Sequence, residues 1–244
     1  FIQYMRSFTQ PITQIANISN TLQSTAAAAE RVFEFLDEQE EVPETGAPIQ
    51  PEQVRGDVEF SHVHFGYRPD KLIIHDFSSV IHAGQTIAIV GPTGAGKTTV
   101  VKLLMRFYEL NSGSISIDGH NILDFTRNGL RSMFGMVLQE TWLYSASIMD
   151  NIRYGNFDKT DEEVMAAART AHCDEFIRSM PGGYHMMINE EASNLSQGQK
   201  QLLTIARAVL CDPPILILDE ATSSVDTRLE HMLQDAMQNI MKGR

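Results

Sequence analysis

The sequence predicts an α/β fold with a helical insertion and a separate leading helix, on three observations. A near-continuous apolar run, Thr86-Ile87-Ala88-Ile89-Val90, leads into a glycine-rich stretch; a second, Ile215-Leu216-Ile217-Leu218, ends in Asp219-Glu220; and the pattern between about 140 and 210 is mostly helical. Short apolar runs of this kind suit strands buried on both faces of a parallel sheet. The 244 residues allow one to two domains at roughly 150 residues each.

In chain order, 1–42 reads as one helix with a start or kink at Pro11, because proline lacks the N–H a helix interior needs. Ile15, Ile18, Leu22, Thr25, Ala29, Val32 and Leu36 recur by threes and fours, so they share a narrow face suited to another helix or to a domain of its own. The acidic run Asp37-Glu38-Gln39-Glu40-Glu41 leads to Pro43, Gly46, Pro48 and Pro51, which makes 43–55 a linker. From 56 to 244 a second domain begins with β-rich runs at 58–67 and 78–81. Helical spacing follows at 97–107, then a short strand around Ile115 and Ile117 before Asp118-Gly119, and an apolar run at 134–138. The clearest helices of the insertion are 162–172 and 196–210, and a last helix covers 227–241.

Composition excludes several classes of function. Lysine and arginine number 19 against 31 aspartate and glutamate, a net charge of −12, which disfavours nucleic acid as a partner. No apolar run reaches the length of a spanning helix. Cys173 and Cys211 form neither a disulfide framework nor a zinc motif, and a reducing cytosol suits them. The start at Phe1 and the end at Lys242-Gly243-Arg244 read as cut points.

The chemistry concentrates in Gly91-Pro92-Thr93-Gly94-Ala95-Gly96-Lys97-Thr98, which fits GxxxxGK[ST] between a predicted strand and helix. Glycines let backbone N–H groups converge on one concavity, and the helix N-terminus adds positive potential for phosphate. Lys97 would reach the β- and γ-phosphates and Thr98 would ligate Mg²⁺. Asp219, at the end of an apolar strand, suits a magnesium-binding carboxylate acting through water, and Glu220 a general base or water-positioning group. Leu195-Ser196-Gln197-Gly198-Gln199 precedes a helix, with Ser196 as its N-cap.

That last segment resembles the LSGGQ signature of ATP-binding cassette (ABC) proteins, and it stands in the family's order, between the phosphate loop and the Asp-Glu strand. The resemblance covers about 56–244 and implies a P-loop NTPase (RecA-like) core with an antiparallel β subdomain and a helical subdomain at about 140–210. It implies that Tyr67 stacks on adenine, and that Thr99 joins 91–98 around ATP. It further implies that Gln139 senses the γ-phosphate and Mg²⁺ and opens the segment facing the transmembrane domains. Asp226, in Ser223-Ser224-Val225-Asp226, would contact the opposite site across a dimer. Ser196, Gln197, Gly198 and Gln199 would cap the nucleotide of a second cassette, and Glu220, Gln139 and Lys97 would carry hydrolysis.

Two departures stand out. Gln197 replaces the first glycine of the signature pair. The family's switch histidine would fall beyond Met241; His231 lies within the preceding helix, and an isolated 1–244 fragment is expected to hydrolyse ATP weakly. The leading helix and acidic linker resemble the cytoplasmic end of the last transmembrane helix of fused exporters. The resemblance therefore implies an exporter's ATPase domain at the cytoplasmic face of the plasma membrane, itself soluble. Its partners would be a second nucleotide-binding domain, identical or divergent, and the transmembrane domain of the same polypeptide. The alternatives are a soluble cassette ATPase of DNA repair or translation, and a regulatory cassette without turnover.

Overall fold

The structure is a computed structural model describing residues 2–44, 48–49, 54–68, 70–92, 94–138, 141–190, 192–219 and 227–241. It divides into two compact units, Phe1–Pro43 and Glu44–Arg244.

The first unit is a single helix, α1 (Ile2–Leu36), of 35 residues, about 52 Å long at 1.5 Å per residue. It runs through Pro11 instead of starting there. Pro11 costs the Ser7 carbonyl its helical partner, one bond in a long ladder. On both sides of it, helix continues, and the hydroxyls of Ser7, Thr9 and Thr13 donate to the carbonyls of Gln3, Met5 and Thr9 one turn back. The helix also stops at Leu36, before the acidic run, and its stripe residues Ile15, Ile18, Leu22, Val32 and Leu36 are all exposed.

The second unit opens on an antiparallel sheet. Strand β1 (Val58–Phe65) pairs with β2 (Ile74–Ile81) on one side. The chain then passes through α2 (Lys97–Leu104) and returns as β3 (Ser112–Ile117), which pairs with the other side of β1 and with the short β4 (His120–Asn121). The linker is irregular, as its prolines require, yet its described residues are held to this domain. Glu44 Oε1 accepts from Arg127 N at 2.7 Å, and Ile49 N donates to Asp124 O at 2.8 Å. The Asp118 carboxylate accepts from the N–H groups of Arg55, Gly56 and Asp57.

After α3 (Arg127–Arg131) comes β5 (Phe134–Val137), then the helical insertion: α4 (Ile148–Arg153), α5 (Asp161–Thr170), α6 (Asp174–Ser179) and α7 (Gln197–Cys211). Asp212, in left-handed backbone at φ +50, ends α7, and Pro213-Pro214 bars its continuation. The chain then lays β6 (Ile215–Leu218) parallel to β5 and continues into α8 (Thr227–Met241). Strand, helical insertion, parallel strand is the arrangement the apolar runs at 134–138 and 215–218 predict.

The β5–β6 ribbon separates two cores. Phe134 and the flanking Met136, Ile215 and Ile217 belong to the core of β1, β2, β3, α2 and α3, while Val137 and Leu216 belong to the core of α4, α5, α7 and α8. Alternation with a period of two therefore gives each core one face of the ribbon, which is why the runs read as apolar throughout.

One expected strand is not formed. Residues 86–90 join no ladder, and Ile87, Ile89 and Val90 are 53%, 41% and 88% exposed. An apolar run signals a preference for burial, but a strand also needs a neighbour for its backbone groups, and the sequence pattern names none. Among the described residues β6 pairs with β5 alone, and its residues are half-buried or exposed for the same reason.

Candidate functional site

The glycine-rich loop delivers the chain into α2 with its first turn uncapped by any side chain among the described residues. Gly96, at the N-cap, has φ +91, and Gly94 has φ +83; both lie in backbone that favours glycine. A Cβ on Gly96 would also come within 2.8 Å of Ile74 Cδ1. With no side-chain cap, the N–H groups of the first turn remain available to an anion, where the helix dipole favours negative charge. Lys97 Nζ folds back across the loop, donating to Gly91 O at 2.8 Å and Pro92 O at 3.2 Å. Its charge therefore sits over the loop.

Tyr67 stands beside that turn. A Cβ on Gly66 would collide with the Lys71 carbonyl, and Gly66 N donates to Asn111 Oδ1 at 2.8 Å, so the close approach of Gly66 to Lys71 sets where Tyr67 emerges. The Tyr67 hydroxyl lies 3.2 Å from Thr99 Oγ1. Its ring packs edge-on against Phe65 at 5.1 Å and Tyr108 at 5.0 Å between centroids. One ring edge is thus held while the residue remains 46% exposed, enough for a flat ligand to lie against it.

The signature segment is a helix start with a reciprocal cap. Gln199 N donates to Ser196 Oγ at 3.3 Å and Ser196 N donates to Gln199 Oε1 at 2.9 Å. Gln199 therefore spends its side chain on the cap. Gly198 is buried, and Gln197 Nε2 donates to Thr141 Oγ1 at 3.4 Å, a contact the glycine usual at that place could not make. α2 packs in one core and α7 in the other, so the phosphate loop and the signature are mounted on different bodies of the same domain.

Asp219 follows β6 directly. Its N–H donates to Val137 O at 2.9 Å, which extends the ribbon by one bond and leaves the exposed Asp219 at the strand's C-terminal end. Thr98, in the first turn of α2, is exposed. Hydroxyl and carboxylate oxygens are the hard donors that magnesium takes alongside phosphate oxygens. Thr93, Gln139, Glu220 and Asp226 lie outside the described residues.

Sequence reasoning passed over an aromatic face on the helical part. Trp142 stacks on Tyr144 at 5.9 Å, and Tyr154 contacts Trp142, Tyr144 and Phe157 within 5.8 Å. The Arg207 guanidinium lies 5.0 Å over the Tyr154 ring and donates to the carbonyls of Asn151 and Trp142; its burial lowers its pKa from the ordinary arginine value. Trp142, Tyr154 and Phe157 remain 59%, 46% and 68% exposed. The signal was the density of aromatics just after Gln139, in a chain with a single tryptophan.

A glycine-rich loop opening a helix, a lysine over it, an aromatic beside it and a carboxylate at a parallel strand end define a nucleoside-triphosphate-binding α/β domain. The ABC transporter family profile matches residues 74–223, and the chain belongs to the ABC transporter family. It is 53% identical over 244 residues to a fatty acid ABC transporter ATP-binding/permease protein of Mycobacterium bovis, covering 100% of this chain and 38% of that protein. It is 43% identical over 243 residues to an ATP-dependent lipid A-core flippase of Legionella pneumophila, covering 100% of this chain and 41% of that one. Among solved structures, a bacterial Atm1-family ABC exporter with ATP bound superposes with a TM-score of 0.80 at 36% identity, over 99% of this chain and 42% of the other. The chain thus spans about two-fifths of the length of the curated relatives it matches. No helix among the described residues is long and apolar enough to cross a membrane.

Proposed function

We propose that this chain is the ATP-binding and ATP-hydrolysing part of an exporter whose membrane-spanning helices belong to the same polypeptide. The observation that carries the reading is the glycine-rich loop, with left-handed Gly94 and Gly96, a helix start without a side-chain cap among the described residues, and the Lys97 ammonium folded over the loop. An acidic chain holds a polyphosphate there because the positive field is local, made of amides and one lysine.

In this reading the α2 amides and Lys97 bind the phosphates, Tyr67 receives the adenine, and Glu220 orients and deprotonates the attacking water. Thr98, Asp219 and Gln139 would hold Mg²⁺, which would neutralise charge developing on the phosphates. Ser196 and Gly198 of a second cassette would complete each site; the placement of α2 and α7 in separate cores supports a signature turned toward another chain. The aromatic face at Trp142, Tyr154 and Phe157 follows Gln139 directly and offers the transmembrane portion an apolar seat at the cytoplasmic face of the membrane. The relatives are named for fatty acid and lipid A-core transport, which favours a lipid or other amphipathic small molecule as cargo.

The test is Glu220→Gln in the full-length protein, reconstituted in lipid. It should bind ATP with little change while turnover nearly stops; persistent turnover would remove Glu220 from the assigned role.

A further inference from the structure

The turn after α2 is held by two arginines from separate elements. Arg106 adopts φ +53, a left-handed backbone uncommon for a residue with a side chain. Its side chain is 3% exposed, with Nε 3.0 Å from Glu109 Oε1 and a terminal nitrogen donating to Phe125 O at 3.4 Å. Arg131, from α3, reaches the same turn. It donates to Met105 O at 3.3 Å and Arg106 O at 3.1 Å, and its guanidinium lies 4.6 Å over the Phe107 ring.

What this turn presents is Tyr108. Its ring stands 5.0 Å from that of Tyr67 at 82° between planes, and 5.7 Å from that of Phe65, which is 3% exposed. Tyr67 is thereby braced by Phe65, by Tyr108 and, through its hydroxyl, by Thr99. We propose that Tyr108 is a positioning residue for the purine: its edge-on packing fixes the plane of the Tyr67 ring, so that the base meets a preset surface. A half-exposed tyrosine left to rotate would have to be ordered by the ligand at each binding event, and bracing it in advance removes that cost from the affinity. The two arginines, Arg106 with its left-handed backbone and Arg131, then have a common purpose, to hold Tyr108 still. The inference rests on the reading that Tyr67 receives the adenine.

The experiment uses the full-length transporter and two ligands, ATP and inorganic tripolyphosphate, which carries the phosphates without a base. Tyr108→Leu should raise KM for ATP about 3- to 10-fold, the worth of one aromatic pair. It should leave kcat at saturating ATP within about twofold, and inhibition by tripolyphosphate unchanged, since neither depends on the ring pair. Tyr108→Phe should restore KM. Tyr108→Met, which keeps apolar bulk should the leucine variant not fold, should behave as leucine does. In a Tyr67→Leu background, Tyr108→Leu should add nothing. Equal loss of ATP and tripolyphosphate, no loss of ATP, or a phenylalanine variant no better than leucine would each overturn the proposal. If Tyr67→Leu itself leaves KM unchanged, the stacking reading has failed; if it raises KM and Tyr108→Leu does not, only the role of Tyr108 has failed.

Discussion

The Tyr67 hydroxyl lies 3.2 Å from the Thr99 hydroxyl, so the aromatic proposed to receive a base is tied to the first turn of the helix proposed to receive phosphates. Tyr67→Phe removes this tie and keeps the ring. Thermal unfolding should show a loss of about 1 kcal/mol, the usual net worth of one hydrogen bond. KM for ATP should change much less than in Tyr67→Leu. A phenylalanine variant as weak for ATP as the leucine variant would make the hydroxyl the binding group.

Lys97 spans the loop carbonyls of Gly91 and Pro92, and in the proposed function it exchanges them for phosphate oxygens. Lys97→Met should weaken ATP on the order of 10- to 100-fold, the range for losing charge-assisted bonds. Equilibrium titration with a fluorescent ATP analogue, run without turnover, is the measurement; an unchanged dissociation constant would place the phosphates elsewhere.

Ser196 Oγ accepts from Gln199 N inside its own helix, which leaves its O–H free to donate outward. The two roles separate by substitution. Ser196→Ala should cost about 1 kcal/mol of stability through the lost cap. Ser196→Asp should keep the cap and still depress ATPase activity, because a carboxylate facing phosphate repels it. Unfolding midpoints and ATPase rates of the two variants, measured side by side, decide the matter.

Asp174 gives the helical part a defined pH response. Burial pushes its carboxyl up, but hydrogen bonds from the Tyr184 hydroxyl at 2.6 Å and from Arg178 Nε at 2.9 Å outweigh it and hold the pKa below the usual carboxylate value. A depressed folded pKa contributes stability above the unfolded pKa of about 4, and this is lost as pH falls through the folded value. Asp174→Asn should therefore be less stable than the parent near pH 7, with the two denaturation curves converging below about pH 4. A constant difference across that range would mean packing, not charge, is responsible.

Cys173 is fully buried, and burial pushes its thiol well above the ordinary range, whereas Cys211 is half-buried. The thiolate is the reactive form. Alkylation of folded protein should label Cys211 and spare Cys173 until denaturant is added, as peptide mass mapping would reveal.

Where local chemistry decides structure, the sequence was readable. Ser196 forms the N-cap expected of it, and the last helix runs from Thr227 to Met241 as expected. Phe134–Val137 and Ile215–Leu218 pair in parallel around the helical insertion. Where a distant partner decides, it was not. Residues 86–90 carry a strand's composition without a ladder, and Pro11 sits inside a helix that the residues on both sides sustain. Of the site, the shape of the glycine-rich loop was legible because its glycines act through their own backbone and Lys97 reaches only to carbonyls of its own loop. Tyr108 was not, because its place beside Tyr67 depends on Arg106, Arg131 and Phe65 meeting from separate elements.

The β5–β6 ribbon is two strands wide, with four paired positions. Phe134 anchors one of its faces in the phosphate-loop core and Val137 anchors the other in the signature core. It is therefore a shared wall, and Asp219 is set at its lip. A tilt of one core against the other would bend that wall and swing the carboxylate with it, so the position of this one side chain follows how the two halves of the domain lean.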